Sequence, residues 1–181
     1  MFVLIALLAV FSCSKKETTQ TDLCQGVFCD NGGICQNGDC QCAPGWTGPA
    51  CQQEKVPVKM KVATVTLTDF PLVDSNGASW DLADGADQYI IISKGGTTLY
   101  TSGYAVNGKA PLAFTPNFEF SDPTATYAIS VYDHDDFGTD DFMGGITFTP
   151  YRSGAKFPTN YTLTCGNCVV SFDFTGIVYY H

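Results

Sequence analysis

Two histidines in 181 residues leave little for imidazole chemistry: His181 ends the chain and His134 sits in an acidic run. A lone histidine in such a run reads as a loop residue rather than a general base, so the chain is expected not to be an enzyme. Cations are scarce too: 9 basic residues face 18 acidic ones, for a net charge of −9. Nucleic acid, whose phosphates call for a basic surface, is excluded as a partner. Helical periodicity is almost absent, while Thr, Tyr, Phe, Val and Gly are abundant, which favours an all-β body. The one long apolar run, residues 1–11, is too short to span a bilayer.

That opening run reads as the apolar core of a signal peptide over residues 1–12. No lysine or arginine precedes it. Val10-Phe11-Ser12-Cys13 resembles a bacterial lipobox, which implies that Cys13 carries the lipid and that residues 13–21 form a polar tether. The resemblance implies a bacterial cell-envelope address, lipid-anchored at the outer membrane. A plain secretory signal is the alternative.

Nine cysteines in so short a chain indicate an oxidising compartment. Six of them, Cys24, Cys29, Cys35, Cys40, Cys42 and Cys51, fall within residues 22–52. About thirty residues bury too little apolar surface to fold alone, so cross-links must supply the stability. Six cysteines allow fifteen pairings. Asn31-Gly32-Gly33-Ile34-Cys35, Cys40-Gln41-Cys42 and Pro44-Gly45-Trp46-Thr47-Gly48 resemble an EGF-like module. That resemblance implies the pairs Cys24–Cys35, Cys29–Cys40 and Cys42–Cys51. The acidic cluster by which some such modules hold calcium is missing before Cys24, so this one is expected to be a spacer or an adhesive face. Residues 53–57 read as the linker out of it.

The remainder, residues 58–181, shows short alternating runs separated by turn residues, the pattern of an antiparallel β-sandwich. Val58, Met60 and Val62 open a strand that is expected to continue toward Leu67. Tyr89 to Ile92 and Leu99 to Thr101 flank Lys94-Gly95-Gly96-Thr97 as a hairpin. Cys165-Gly166-Asn167-Cys168 lies between two strand-like runs. A disulfide across a hairpin turn suits it better than a redox motif or half a zinc site. So small a closed loop removes little chain entropy, and replacing both cysteines by serine is expected to change stability little.

The chemistry of this part is carried by acids. Nine of the thirteen acidic residues between 55 and 181 lie in two loops: Asp74, Asp81, Asp84 and Asp87, then Asp133, Asp135, Asp136, Asp140 and Asp141. Two carboxylates about 4 Å apart repel by roughly 4 kcal/mol at an effective dielectric near 20. Such crowding calls for a counter-ion, and hard oxygen ligands suit calcium. An EF-hand is excluded, because counting from Asp133 its fifth and twelfth positions hold Phe137 and Gly144. Paired carboxylates serve glycosidases, but here they form one dense cluster on short loops.

Asp81-Leu82-Ala83-Asp84-Gly85-Ala86-Asp87-Gln88-Tyr89-Ile90 resembles the first calcium-binding loop of C2 domains. The stretch from Tyr132-Asp133-His134-Asp135 to Asp141-Phe142-Met143-Gly144 resembles their third loop. The resemblance implies calcium ligands at Asp81, Asp87, Asp133, Asp135 and Asp141, completed by the main-chain carbonyls of Leu82 and His134. Asp84, Asp136 and Asp140 are additional candidates. Gly138 stands where many members carry a serine ligand, and Gln88 replaces the usual proline. Leu82 and Phe137 fall at loop tips that C2 domains insert into membranes. The expected function is a surface-tethered calcium-binding module that engages lipid headgroups, another surface protein or a glycan. The alternative is a structural or adhesive envelope protein in which calcium only stiffens the loops.

Overall fold

The computed structural model describes residues 22–81, 85–154, 160–166, 168–173 and 178–179. Cys13, the signal peptide, the tether, Leu82, Asp84 and His181 lie outside the described residues. The described residues contain strands and no helix.

The cysteine-rich module is built from β1 (Ile34–Gln36), β2 (Asp39–Gln41), β3 (Trp46–Thr47) and β4 (Gln53–Glu54), paired as two short hairpins. Three disulfides hold it: Cys24–Cys35, Cys29–Cys40 and Cys42–Cys51. These are the pairs implied by the EGF-like resemblance. Because Gln53 and Glu54 pair with Thr47 and Trp46, the module takes in residues that the sequence reading places in a linker.

The second unit is an antiparallel sandwich of β5 (Lys59–Val62), β6 (Thr64–Asp69), β7 (Gln88–Lys94), β8 (Thr97–Thr101), β9 (Leu112–Phe114), β10 (Phe118–Phe120), β11 (Tyr127–Asp133), β12 (Asp141–Phe148), β13 (Asn160–Cys165), β14 (Cys168–Asp173) and β15 (Val178–Tyr179). One sheet has the order β12-β11-β7-β8, another β13-β14-β6-β9, and a third β10-β5-β15. The expected single strand toward Leu67 is therefore two strands in two sheets. Met60 and Val62 are buried, but so are Val65 and Leu67, and the period-2 phase flips between the pairs. One straight strand buries only one phase, so the chain breaks at Ala63 and changes sheet.

Alternation does the rest. Tyr127, Ile129, Val131 and Asp133 of β11 point inward beside Gln88, Ile90 and Ile92 of β7. Phe120, Phe148 and Phe172 interlock in the same core, with ring centroids 5.0 to 6.3 Å apart. Gly95 and Gly96 both have positive φ, as a two-residue hairpin turn between β7 and β8 requires. Cys165 and Cys168 pair across the β13–β14 turn, are joined by a disulfide, and are buried in the core. Gly144 of β12 lies directly over them. A Cβ there would stand 2.8 Å from the Cys165 carbonyl oxygen and 2.9 Å from Cys168 Sγ.

Candidate metal centre

β11 and β12 run antiparallel, and residues 134–140 join them at one end of the sandwich. A bulge shifts the register: Val131 pairs with Gly144 and Tyr132 with Phe142, leaving Met143 as the extra residue. This places Asp133 opposite Asp141 on one side and opposite Gln88 of β7 on the other.

Asp133 is wholly buried, a core position occupied by a carboxylate. The main-chain N–H of Asp87 donates to its Oδ1, whereas its Oδ2 has no hydrogen-bond partner. Burial pushes its pKa up to about 6 against the pull of the Asp87 N–H, and the charges of Asp81, Asp135 and Asp87 push the same way. Asp135 is also raised, by burial and by the charges of Asp141 and Asp140. The two acidic loops are thus brought together around one buried carboxylate.

Asp87 is fastened on its other side by a loop that the sequence reading passed over. The Asn107 N–H donates to Asp87 Oδ1 at 2.7 Å, and Asn107 Oδ1 accepts the Gly85 N–H at 2.7 Å. The His134 N–H donates to the Asp87 carbonyl at 3.0 Å. Residues 102–111 therefore form a third wall of the site. The turn pair Asn107-Gly108, with Asn107 at φ 49°, was the available signal.

Asp140 plays a different part. The Tyr89 hydroxyl donates to its Oδ2 at 2.6 Å, the Asp135 N–H donates to its Oδ1 at 3.2 Å, and His134 Nδ1 lies 3.2 Å from that oxygen. The Tyr89 hydroxyl in particular holds the Asp140 carboxyl below its ordinary range. The Tyr104 ring packs on the His134 ring at 4.3 Å between centroids. Both oxygens of Asp140 are committed to the loop's own fold. Asp136 is exposed, as is Asp141. Asp74 is likewise turned inward on its own loop, accepting the N–H groups of Asn76 and Ala78 at 2.8 Å.

The orphaned oxygen of Asp133 fits a cation better than any neutral ligand, since a buried ionised carboxylate needs compensation. Asp81, Asp87, Asp135 and Asp141 supply further hard oxygen donors of the kind calcium prefers. Among the described residues no three Asp, Glu, His or Cys side chains form a ready-made metal shell.

The profile of the Teneurin-like EGF domain family matches residues 24–54, the cysteine-rich module alone. No curated protein matches the chain. Among solved structures, a C2 domain is similar over 63% of this chain and 93% of its own, at 16% identity and a TM-score of 0.48. A C2 domain of a plant Extended Synaptotagmin 1, the domain lettered A, is similar over 67% of this chain and 100% of its own, at 20% identity and a TM-score of 0.40. The pair of C2 domains lettered A and B in Extended-Synaptotagmin 2 gives 71%, 45%, 15% and 0.41 in the same order.

Proposed function

We propose that the protein is a calcium-binding surface module, held on a bacterial envelope through Cys13, whose loop end engages lipid headgroups once calcium has drawn its carboxylates together. The observation that carries this reading is Asp133, a fully buried carboxylate with an unpartnered Oδ2, pressed by the charges of three other aspartates. Asp81, Asp87, Asp135 and Asp141 hold the ion with it, together with the carbonyls of Leu82 and His134. The ion neutralises the loop end and closes loops that otherwise repel one another.

The same loops carry apolar side chains in the open. Leu72 is 80% exposed, Val106 65% and Phe137 95%, one from each of the three loops around the acids. Apolar tips beside a neutralised acidic centre suit a headgroup layer, where calcium bridges protein carboxylates to anionic lipid. The work is binding rather than catalysis: His134 is taken up by Asp140 and Tyr104.

Sedimentation with phosphatidylserine–phosphatidylcholine vesicles, in calcium and in chelator, tests the reading alongside calorimetric calcium titration. Calcium-dependent co-sedimentation is the expected result. Calcium binding without sedimentation identifies an envelope protein whose loops calcium only stiffens. No heat of calcium binding at millimolar concentration overturns the reading.

A further inference from the structure

The cysteine-rich module does not hang from the sandwich on a loose tether. β4 carries the module to Glu54, and the next N–H, that of Lys55, donates to the Gly45 carbonyl at 2.8 Å. Only residues 56–58 then precede β5, and Pro57 among them is buried. Glu54 itself reaches across to the sandwich. Its Oε2 accepts the Gly154 N–H at 2.6 Å, a hundred residues away in sequence, and its Oε1 is buried. Tyr151, also buried, stands beside the same carboxylate. Its N–H donates to the Pro123 carbonyl at 2.9 Å, which ties the contact to the turn that launches β11.

The strand directions place this contact. β11 starts after Pro123 and ends at Asp133, in the acidic centre. β12 starts at Asp141, in that centre, and ends at Phe148, just before Tyr151. Tyr151 and Gly154 thus lie at the end of the sandwich away from the acids.

We propose that Glu54 is the joint that locks the module onto the end of the sandwich opposite the acidic loops, so that those loops face away from the chain's N-terminal side. A charged carboxylate accepting a main-chain N–H makes a stronger link than a neutral pair. The consequence rests on the function proposed above: the lipid surface met by the loops is a second one, in trans to whatever holds the N-terminal side.

Electron–electron distance measurement on the full chain tests the joint. Phe28 of the module, 84% exposed, and Phe137 of the acidic loop, 95% exposed, are replaced by p-acetylphenylalanine and tagged with nitroxides, which leaves every cysteine untouched. One narrow distribution is expected, centred beyond about 26 Å, the span of an eight-residue strand at about 3.3 Å per residue. Glu54→Gln, whose amide oxygen still accepts the Gly154 N–H, keeps it narrow; Glu54→Ala broadens it. A broad or shorter distribution in the unsubstituted chain, or one that Glu54→Ala leaves unchanged, overturns the proposal. Calcium is not needed for the measurement, so failure of the calcium reading would leave this result standing on its own.

Discussion

Asp133 and Asp141 stand directly opposite each other in the β11–β12 ladder, two like charges at a position where cross-strand neighbours favour opposite ones. Asp133 is buried and Asp141 exposed, so the pair spans the boundary between core and solvent. The bulge at Met143 produces this register, because without it Asp141 would slip out of line with Asp133.

Asp133→Asn follows from that arrangement. The asparagine oxygen still accepts the Asp87 N–H, while the buried charge disappears. Without calcium the variant is expected to melt at the same temperature as the wild type or higher. The wild type should gain about 2.7 kcal/mol at a hundredfold excess of calcium over its dissociation constant. The variant should gain almost none of it. Melting curves in chelator and in millimolar calcium decide the matter, and an equal calcium response in both proteins would remove Asp133 from the site.

The pKa of Asp133, raised to about 6, gives the metal-free protein an unusual pH dependence. The folded state holds this proton more tightly than the unfolded chain, whose ordinary value is 3.8. The resulting stability is full below pH 3.8 and is lost as pH rises through about 6, a change of at most about 3 kcal/mol. Asp135 is shifted the same way. Asp74, Asp122 and Asp140 are held low, by the Ala78 N–H, the Thr124 hydroxyl and the Tyr89 hydroxyl respectively. Their stabilisation is present above 3.8 and fades only below it, so they leave the window between pH 4 and 6 to Asp133 and Asp135. Denaturant midpoints in chelator should rise as pH falls from 6 to 4, and a fall over that interval would contradict the burial of Asp133.

The disulfide Cys165–Cys168 carries more weight than its short loop suggests. Chain entropy alone gives a three-residue separation less than about 2 kcal/mol. Both cysteines, however, lie in the core, at 1% and 0% exposure, with the Cys165 carbonyl and the Cys168 sulfur against the bare Cα of Gly144. Serines there would bury two hydroxyls, at about 1–3 kcal/mol each where no partner is found. The double serine variant should lose several degrees in melting temperature, and the double alanine variant less. Equal, small losses in the two variants would restore the entropic account.

How much of this was legible in the residues differs from part to part. The module was readable because six cysteines and the glycines at its turns carry their spacing in the chain itself. The hairpin at Gly95-Gly96 and the two acidic loops were readable for the same local reason. The break at Ala63 was visible as a phase flip between Val62 and Val65, but a period-2 scan that counts only apolar residues passes over it. Asn107 left only the mark of a turn, and Tyr104 and Tyr89 left no comparable trace. Their partners Asp87, His134 and Asp140 are 20, 30 and 51 residues away, and only the folded sheets bring them together. Glu54 was hidden likewise, since its partner Gly154 lies on another unit.

Asp140 separates a ligand from a clasp. By charge and position it belongs with Asp133, Asp135 and Asp141, yet both its oxygens are engaged by Tyr89, the Asp135 N–H and His134. It ties the tip of the acidic loop to β7, and a carboxylate so committed has little left for an ion. Asp140→Asn should therefore shift the calcium dissociation constant less than tenfold, while Asp135→Asn, which removes a carboxylate among the gathered acids, should weaken it far more. Tyr89→Phe removes the hydroxyl that donates to Asp140, a hydrogen bond to a charged group worth about 1.5–3 kcal/mol. It should lower the melting temperature in chelator as well as in calcium, because the clasp works in both states. If Asp140→Asn abolishes the heat of calcium binding while Tyr89→Phe leaves stability untouched, Asp140 is a ligand after all and the loop is held in some other way.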